Sequence, residues 1–258
     1  MHRNITYVIS MKTMLSVENK YVLVTGAGSG IGRATACALS RYGAKTVLVD
    51  ISPEGLAETS ASLGQGHLSA CFDLSRPESF DAIASILEKS HIKLDGIVHC
   101  AGISSRKPLN VLTKDGFSKI MDINFYSFME LVKRFTKRRY FNDGGSVVVM
   151  SSISSLKGYK AKSEYCVSKA AVDAFVRCAA LELSPRFIRV NSVMAGEVLT
   201  PLGQKARELN ASLGVTESEA PLGPSAPEEV ANTIAFLLSD ATKTITGTSI
   251  LIDGGATI

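Results

Sequence analysis

Two groups of residues in this sequence have types and spacings that could do chemistry. The first is the run TGAGSGIG, carrying Thr25, Gly26, Gly28, Ser29, Gly30, Ile31 and Gly32. Glycines between a strand and a helix let the backbone approach a pyrophosphate closely, with the anion held at the helix N-terminus. Alone, the run is equally a strand-to-helix turn with no ligand; its spacing is T-G-x-x-x-G-x-G, not G-x-G-x-x-G. Asp50 adds context, because it ends the next apolar run, close to the ~20 residues past the last glycine at which a carboxylate takes an adenosine ribose 2′-OH. That carboxylate repels a 2′-phosphate, and neither Ser29 nor Ile51 offers a compensating base, so NAD(H) is favoured over NADP(H). The second group is Tyr165-x-x-x-Lys169, which on a helix places a phenol and an ammonium one turn apart on the same face. An isolated pair of this kind reads as surface residues, but Ser151 and Ser152 stand upstream, directly after the apolar run SVVVM.

The elements that must position these groups follow from the apolar pattern. Short β-rich runs recur at 21–25, 46–49, 67–71, 96–99, 146–150, 189–193 and 249–252, and their continuous apolar character predicts strands buried on both faces of a parallel sheet. Between them lie amphipathic stretches at 30–42, 53–63, 77–90, 113–140, 164–183 and 227–238, so the chain alternates strand and helix. Pro77 and the Pro227-Glu228-Glu229 sequence put proline and acids where first helical turns accept them. The reading is a single doubly wound α/β domain. Residues 197–226 break a weak helical period with Gly and Pro, which predicts an irregular substrate lid beside the strand carboxyl ends.

Composition narrows the function classes. In 258 residues, 45% are apolar and 20% charged, a globular balance, and 28 Lys+Arg against 24 Asp+Glu leave a net +4, too small an excess to imply nucleic acid. Five widely spaced cysteines with no C-x-x-C read as reduced thiols of a cytoplasmic protein, and four scattered histidines offer no metal site. No run approaches a membrane span and the start lacks a signal-peptide pattern. Residues 1–13, before Met14, are expected to be an optional, poorly ordered extension.

From about Met14 onward the chain resembles the short-chain dehydrogenase/reductase family, in its single-domain branch of roughly 250 residues. The resemblance rests on TGAGSGIG, Asp73, Ala101-Gly102, Asn124 in MDINFYS, Ser151-Ser152, Tyr165-x-x-x-Lys169, the segment NSVMAGEVLT with Asn191, Gly196 and Thr200, and the closing ITGTSILIDGG. It implies a Rossmann-type sheet of about seven strands with helices on both faces, usually in a homotetramer, with a homodimer as the smaller assembly. It implies that Tyr165 is the general acid/base between a secondary alcohol and a ketone, with its pKa lowered by Lys169 and the oxidised nicotinamide. Ser152 then orients the substrate oxygen and Asn124 holds a relay water. Cofactor contacts carried over are the glycine-run residues, Asp50, Ile51, Asp73, Leu74, Ala101, Gly102, Tyr165, Lys169, Gly196, Val198 and Thr200.

Some positions depart from the family pattern. His99 and Cys100 stand where Asn-Asn or Asn-Ala is usual, and His99 reads as a satisfied buried imidazole. Ala195 replaces a proline, which restores a backbone N–H and loosens φ beside the lid. Glu197 follows Gly196, where its carboxylate either disfavours anionic substrates or turns to solvent. Lys133, Arg134, Lys137, Arg138 and Arg139 form a basic cluster expected on one helix; it is either a solvated helix end or a dock for an acyl carrier protein. The alternatives are a 3-oxoacyl carrier-protein reductase, which Asp50 counts against, and a catalytically silent nicotinamide-binding regulator, which the presence of Asn124, Ser152, Tyr165 and Lys169 together counts against. No G-x-x-x-x-G-K-[ST], H-E-x-x-H or G-x-S-x-G occurs.

Overall fold

A computed structural model describes residues 15–212 and 220–258; the expected extension at 1–13 lies outside the described residues. Seven parallel strands form one sheet: β1 (Tyr21–Thr25), β2 (Lys45–Asp50), β3 (Leu68–Cys71), β4 (Leu94–His99), β5 (Phe141–Ser152), β6 (Arg189–Ala195) and β7 (Ser249–Ile252). Their order is β3-β2-β1-β4-β5-β6-β7, so the winding reverses between β1 and β4. Helices α1 (Gly30–Arg41), α2 (Pro53–Ala61), α3 (Pro77–Lys89), α4 (Lys114–Met121), α5 (Ser127–Phe135), α6 (Ser163–Leu183), α7 (Pro201–Ser212) and α8 (Pro227–Leu238) connect and cover them.

The strand period of two divides the core into two layers. Leu23, Val147 and Val149 face α3, α5 and α6 with Ile83, Phe128 and Val176, whereas Val22, Val24 and Val148 face α1 and α8 with Leu39 and Ile234. This accounts for the unbroken apolar runs, because both faces of the central strands are buried. The edge strand β3 does not follow them: its residues alternate between half-buried and exposed, and His67 stands outside it, bonded to Thr46 through Nδ1.

Two expected stretches are corrected by local chemistry. The stretch 113–140 is two α-helices joined by a π-helical turn at Asp122–Tyr126, and α5 ends at Phe135. Just after that turn Ser127 donates its hydroxyl back to the Ile123 carbonyl, and Asn124 within the turn is buried. Lys137, Arg138 and Arg139 therefore lie beyond the helix. The region expected to be irregular at 197–226 holds α7, which starts on Pro201 with the Thr200 hydroxyl accepting from the Gly203 N–H at 3.0 Å. Ala195 stands in the ladder opposite Ser152 and Ile252.

Candidate active site

The strand order reverses between β1 and β4, and a cleft opens there at the carboxyl ends of the strands, as in other open α/β sheets. One cavity, of about 310 Å³, runs from the glycine run past Asp50, Ile51, Asp73 and Leu74. A second, of about 480 Å³, lies over Ser152, Tyr165 and Lys169. Ile31, Cys100, Gly102, Thr200 and Leu202 line both, so the two are one continuous cleft.

The first cavity has the features of a dinucleotide cradle. Gly26 has φ +67° and packs so closely on the β4 loop that a Cβ there would stand 2.6 Å from the Ala101 nitrogen. The Asp50 carboxylate lies against Gly28 and accepts from its N–H at 2.8 Å and from the Ser52 N–H at 2.9 Å. Those two bonds hold the glycine loop and leave further acceptor positions on both oxygens. Ser29, at the N-cap of α1, makes no side-chain capping bond, so the first-turn N–H groups bordering the cavity are not capped by it. An N-terminal helix dipole and free donors fit a phosphate group. Asp73 spends one carboxylate oxygen on Ser75, whose N–H and hydroxyl hold its pKa below the usual range.

In the second cavity Tyr165 and Lys169 stand one turn apart on α6, with the ammonium 5.7 Å from the phenol ring centre. Burial raises the Tyr165 pKa, and the Ser152 hydroxyl, hydrogen-bonded to the phenol, opposes the rise without cancelling it. The expected lowering is thus absent from the protein alone. Lys169 donates to the Met150 carbonyl at 2.9 Å, and burial draws its pKa down to about 8. Asn124 is fully buried; its Oδ1 accepts from Ile103 N–H at 2.8 Å, and its amide donates to the Ile103 carbonyl and Ser168. It shapes the β4 loop from behind and does not line either cavity.

Thr25 also points away from the cleft. Its hydroxyl lies 2.8 Å from His99 Nδ1, while His99 Nε2 lies 3.2 Å from Ser127. Because Ser127 donates to the Ile123 carbonyl, the consistent tautomer is protonated at Nε2 and accepts Thr25 at Nδ1. His99 is thus buried and satisfied. Glu197 is turned neither to solvent alone nor free toward substrate: it pairs with Arg207 of α7 at 2.7 Å, and both line the second cavity.

Two buried acids escaped the sequence reading. Glu164, next to Tyr165 and 1% exposed, accepts from Ser105 at 2.5 Å and ties the loop after β4 to α6. Asp173, one turn beyond Lys169, gathers Ser151 and Ser192. An acid on the apolar side of a predicted helix was the signal for Asp173. The basic cluster, in contrast, is largely spent: Lys133 and Arg134 pair with Glu130, Arg134 with Asp81, Arg138 with Asp143, and Arg139 with Glu88. No helix among the described residues is long and apolar enough to cross a membrane.

Comparison with known proteins agrees with this geometry. A family model described as Enoyl-(Acyl carrier protein) reductase matches residues 26–257. The chain is 32% identical over 248 residues to the NAD-dependent glycerol dehydrogenase of Listeria innocua, covering 94% of this chain and 96% of that one. It is 31% identical over 249 residues to the 3-oxoacyl-[acyl-carrier-protein] reductase of Thermotoga maritima, covering 95% and 100%. Among solved structures, a short-chain type dehydrogenase/reductase from Mycobacterium marinum superposes with a TM-score of 0.84 at 29% identity, covering 96% and 99%. A single seven-stranded parallel sheet wound on both faces, the motifs it brings to one cleft and these matches make the chain a member of the short-chain dehydrogenase/reductase family, an oxidoreductase that acts on a small molecule.

Proposed function

We propose that the protein is an NAD(H)-linked oxidoreductase that interconverts a secondary alcohol and a ketone, with Tyr165 as general acid/base. The observation that carries the reading is the continuous cleft that joins Asp50 at one end to Ser152, Tyr165 and Lys169 at the other. When bound, the nicotinamide cofactor supplies hydride transfer. The chain's own groups bind, orient and move the proton. The α1 N-terminus and the glycine run hold the pyrophosphate; Asp50 takes the adenosine ribose hydroxyls, with Ile51, Asp73 and Leu74 around the adenine. Ala101, Gly102, Gly196, Val198 and Thr200 border the nicotinamide end.

Ser152 holds the substrate oxygen against the Tyr165 phenol. In reduction Tyr165, which burial keeps protonated, gives its proton to that oxygen. In oxidation it must accept the proton, and the charge of Lys169, whose pKa burial lowers to about 8, favours the phenolate that does so. Asn124 holds the β4 loop at the height where this exchange takes place. Its role as the holder of a relay water belongs to the same proposal.

The cavity wall beyond Tyr165 supports a substrate with several hydroxyls. Ser104, Ser154, Tyr159, Lys162 and the Glu197–Arg207 pair face it, and a glycerol dehydrogenase is among the relatives. The substrate is then a small polyol or hydroxyketone, and the described part of 197–226, which includes α7, is its lid. A 3-oxoacyl carrier-protein reductase is the second reading, favoured by the family model and the Thermotoga relative. Asp50 and the paired basic cluster weigh against it. A cytoplasmic homotetramer or homodimer completes the reading, supported by exposed Val167 and Leu181 on α6 and Phe187 after it.

Calorimetric titration of NAD(H) and NADP(H) into wild type and Asp50→Ala tests the cofactor, and oxidation of glycerol by wild type and Tyr165→Phe tests the chemistry. Tighter NAD(H) binding, weakened tenfold or more in Asp50→Ala for the loss of about 1.5–3 kcal/mol of hydrogen bonding to a charged group, is expected. Preference for NADP(H), or turnover undiminished in Tyr165→Phe, would overturn it.

A further inference from the structure

The carboxylate of Asp173 serves none of the functions assigned above. It lies one turn beyond Lys169 on α6, is 6% exposed, and receives hydroxyls from three neighbouring strands: Ser151 of β5 at 2.8 Å, Ser192 of β6 at 2.7 Å and Ser249 of β7 at 3.3 Å. Serine dipoles satisfy the oxygens of an anion but leave its charge in place, and a buried charge persists where a counter-charge accompanies it. Lys169 has the position to be that counter-charge. It is 5% exposed, sits one turn away on the same helical face, and its ammonium is fixed at 2.9 Å to the carbonyl of Met150, the residue before Ser151.

We propose that Asp173 is a positioning residue for the reaction: its carboxylate, locked by Ser151, Ser192 and Ser249, keeps Lys169 charged and fixed beside Tyr165. This rests on the roles given to Tyr165 and Lys169 under the proposed function. The other groups around Lys169 cannot do the same work. On β4 and the loop after it, burial keeps the His99 imidazole neutral, with a pKa of about 3, and pushes the Cys100 thiol up to about 12. On α6, Tyr165 is a neutral phenol until it reacts. Gly102 and Asn124 carry no charge, and from the cavity side Lys162 is a like charge while Glu197 is held by Arg207. Burial pulls the Lys169 pKa down, and Asp173 is the larger of the influences that hold it up. Among the described residues, the hydrogen bonds to the Asp173 carboxylate come from the three serines named. With Asp173 neutral, a larger share of Lys169 gives up its proton in neutral solution, and with it goes part of the charge that favours the Tyr165 phenolate.

The titration of Lys169 can be read directly in the protein without cofactor, from the NMR shift of lysine labelled with ¹³C at Cε. The Lys169 resonance is the one missing from Lys169→Arg. Its midpoint is expected near 8 in wild type and about 1 unit or more lower in Asp173→Asn. In the same variant the acidic limb of kcat/KM for glycerol oxidation with NAD moves to higher pH, a displacement that a purely structural lesion does not produce. Ser192→Ala removes one donor dipole without changing the carboxylate charge, and it should move the Lys169 midpoint upward; it serves as the test if Asp173→Asn does not fold. An unchanged midpoint in whichever variant folds overturns the proposal. A shifted midpoint in a protein that oxidises no alcohol upholds the Asp173–Lys169 pairing and overturns the proposed activity, so the two failures are distinguishable.

Discussion

His99 makes the stability of this protein depend on pH in a way that can be worked from the structure. The imidazole is 1% exposed, bonded to Thr25 and Ser127 and stacked on Phe128 at 5.6 Å. Burial is the main cause that lowers its pKa from 6.5 to about 3, with the Lys169 charge adding to it. In the unfolded chain His99 takes a proton near 6.5, whereas in the folded protein it refuses one until about 3. The folded state is therefore at full advantage above 6.5 and loses stability as pH falls from 6.5 toward 3. At 1.36 kcal/mol per unit the full loss is roughly 5 kcal/mol, of which about 2.7 kcal/mol has gone by pH 4.5. Urea denaturation of wild type and His99→Asn at pH 7.5 and 4.5 measures the term by difference, because the carboxylates with lowered pKa values are common to both proteins. Wild type should lose 2–3 kcal/mol more than the variant over this interval, an amount on the order of that linkage. Parallel losses in the two proteins would refute the reasoning, since a protonated imidazole would then be accommodated without cost. The site should feel the same transition, because Thr25 also accepts from the Ala101 N–H at 3.4 Å and so links His99 to the floor of the cleft.

Two other predictions follow from contacts at the cleft. Gly26→Ala places a Cβ 2.6 Å from the Ala101 nitrogen at a φ of +67°, so it should destabilise the protein by more than ~2 kcal/mol in thermal or urea unfolding and weaken cofactor binding; a loss under ~0.5 kcal/mol would show that the β4 loop yields freely. Glu197→Gln frees Arg207 at the cavity wall, so relative kcat/KM should shift toward carboxylate-bearing alcohols over glycerol by several-fold, on the scale of a partly exposed ion pair; an unchanged ratio would place the pair outside substrate recognition.

The sequence made the central strands and the glycine run legible because their signals are local: apolar runs, Gly spacing, and a proline with acids at the start of α8. The cleft residues Asp50, Tyr165 and Lys169 came with those elements, since parallel strands deliver their carboxyl ends to one edge. What was not legible depends on partners distant in the chain or on a change of helical pitch. Arg134 and Arg139 read as free cations because Asp81 and Glu88 belong to a different helix, α3, that only the fold brings alongside. The π-helical turn leaves the apolar period of 113–135 nearly intact, so nothing in that period announces that Asn124 turns inward to Ile103. The helix at 201–212 was obscured by its neighbours, Gly and Pro on both sides, although Thr200-Pro201 is itself a capping sequence.

The substitution at His99 and the network around Asp173 share a physical logic. Both place an ionisable group under the floor of the cleft and satisfy it with hydroxyls: burial keeps the imidazole neutral while Thr25 donates to it and Ser127 accepts from it, and Ser151, Ser192 and Ser249 donate to the carboxylate. Lys169 is coupled to both: its charge helps keep His99 neutral, and Asp173 helps keep Lys169 charged. A protonated His99 would repel the Lys169 ammonium, whereas Asp173 attracts it. A neutral imidazole at this depth is therefore compatible with a charged Lys169, and a charged imidazole is not. Acidification thus costs the protein stability from about pH 6.5 downward, before the folded-state imidazole takes its own proton near 3. As pH falls toward the His99 transition, the Lys169 ammonium meets a second buried positive charge, and Asp173 is the group that must offset both.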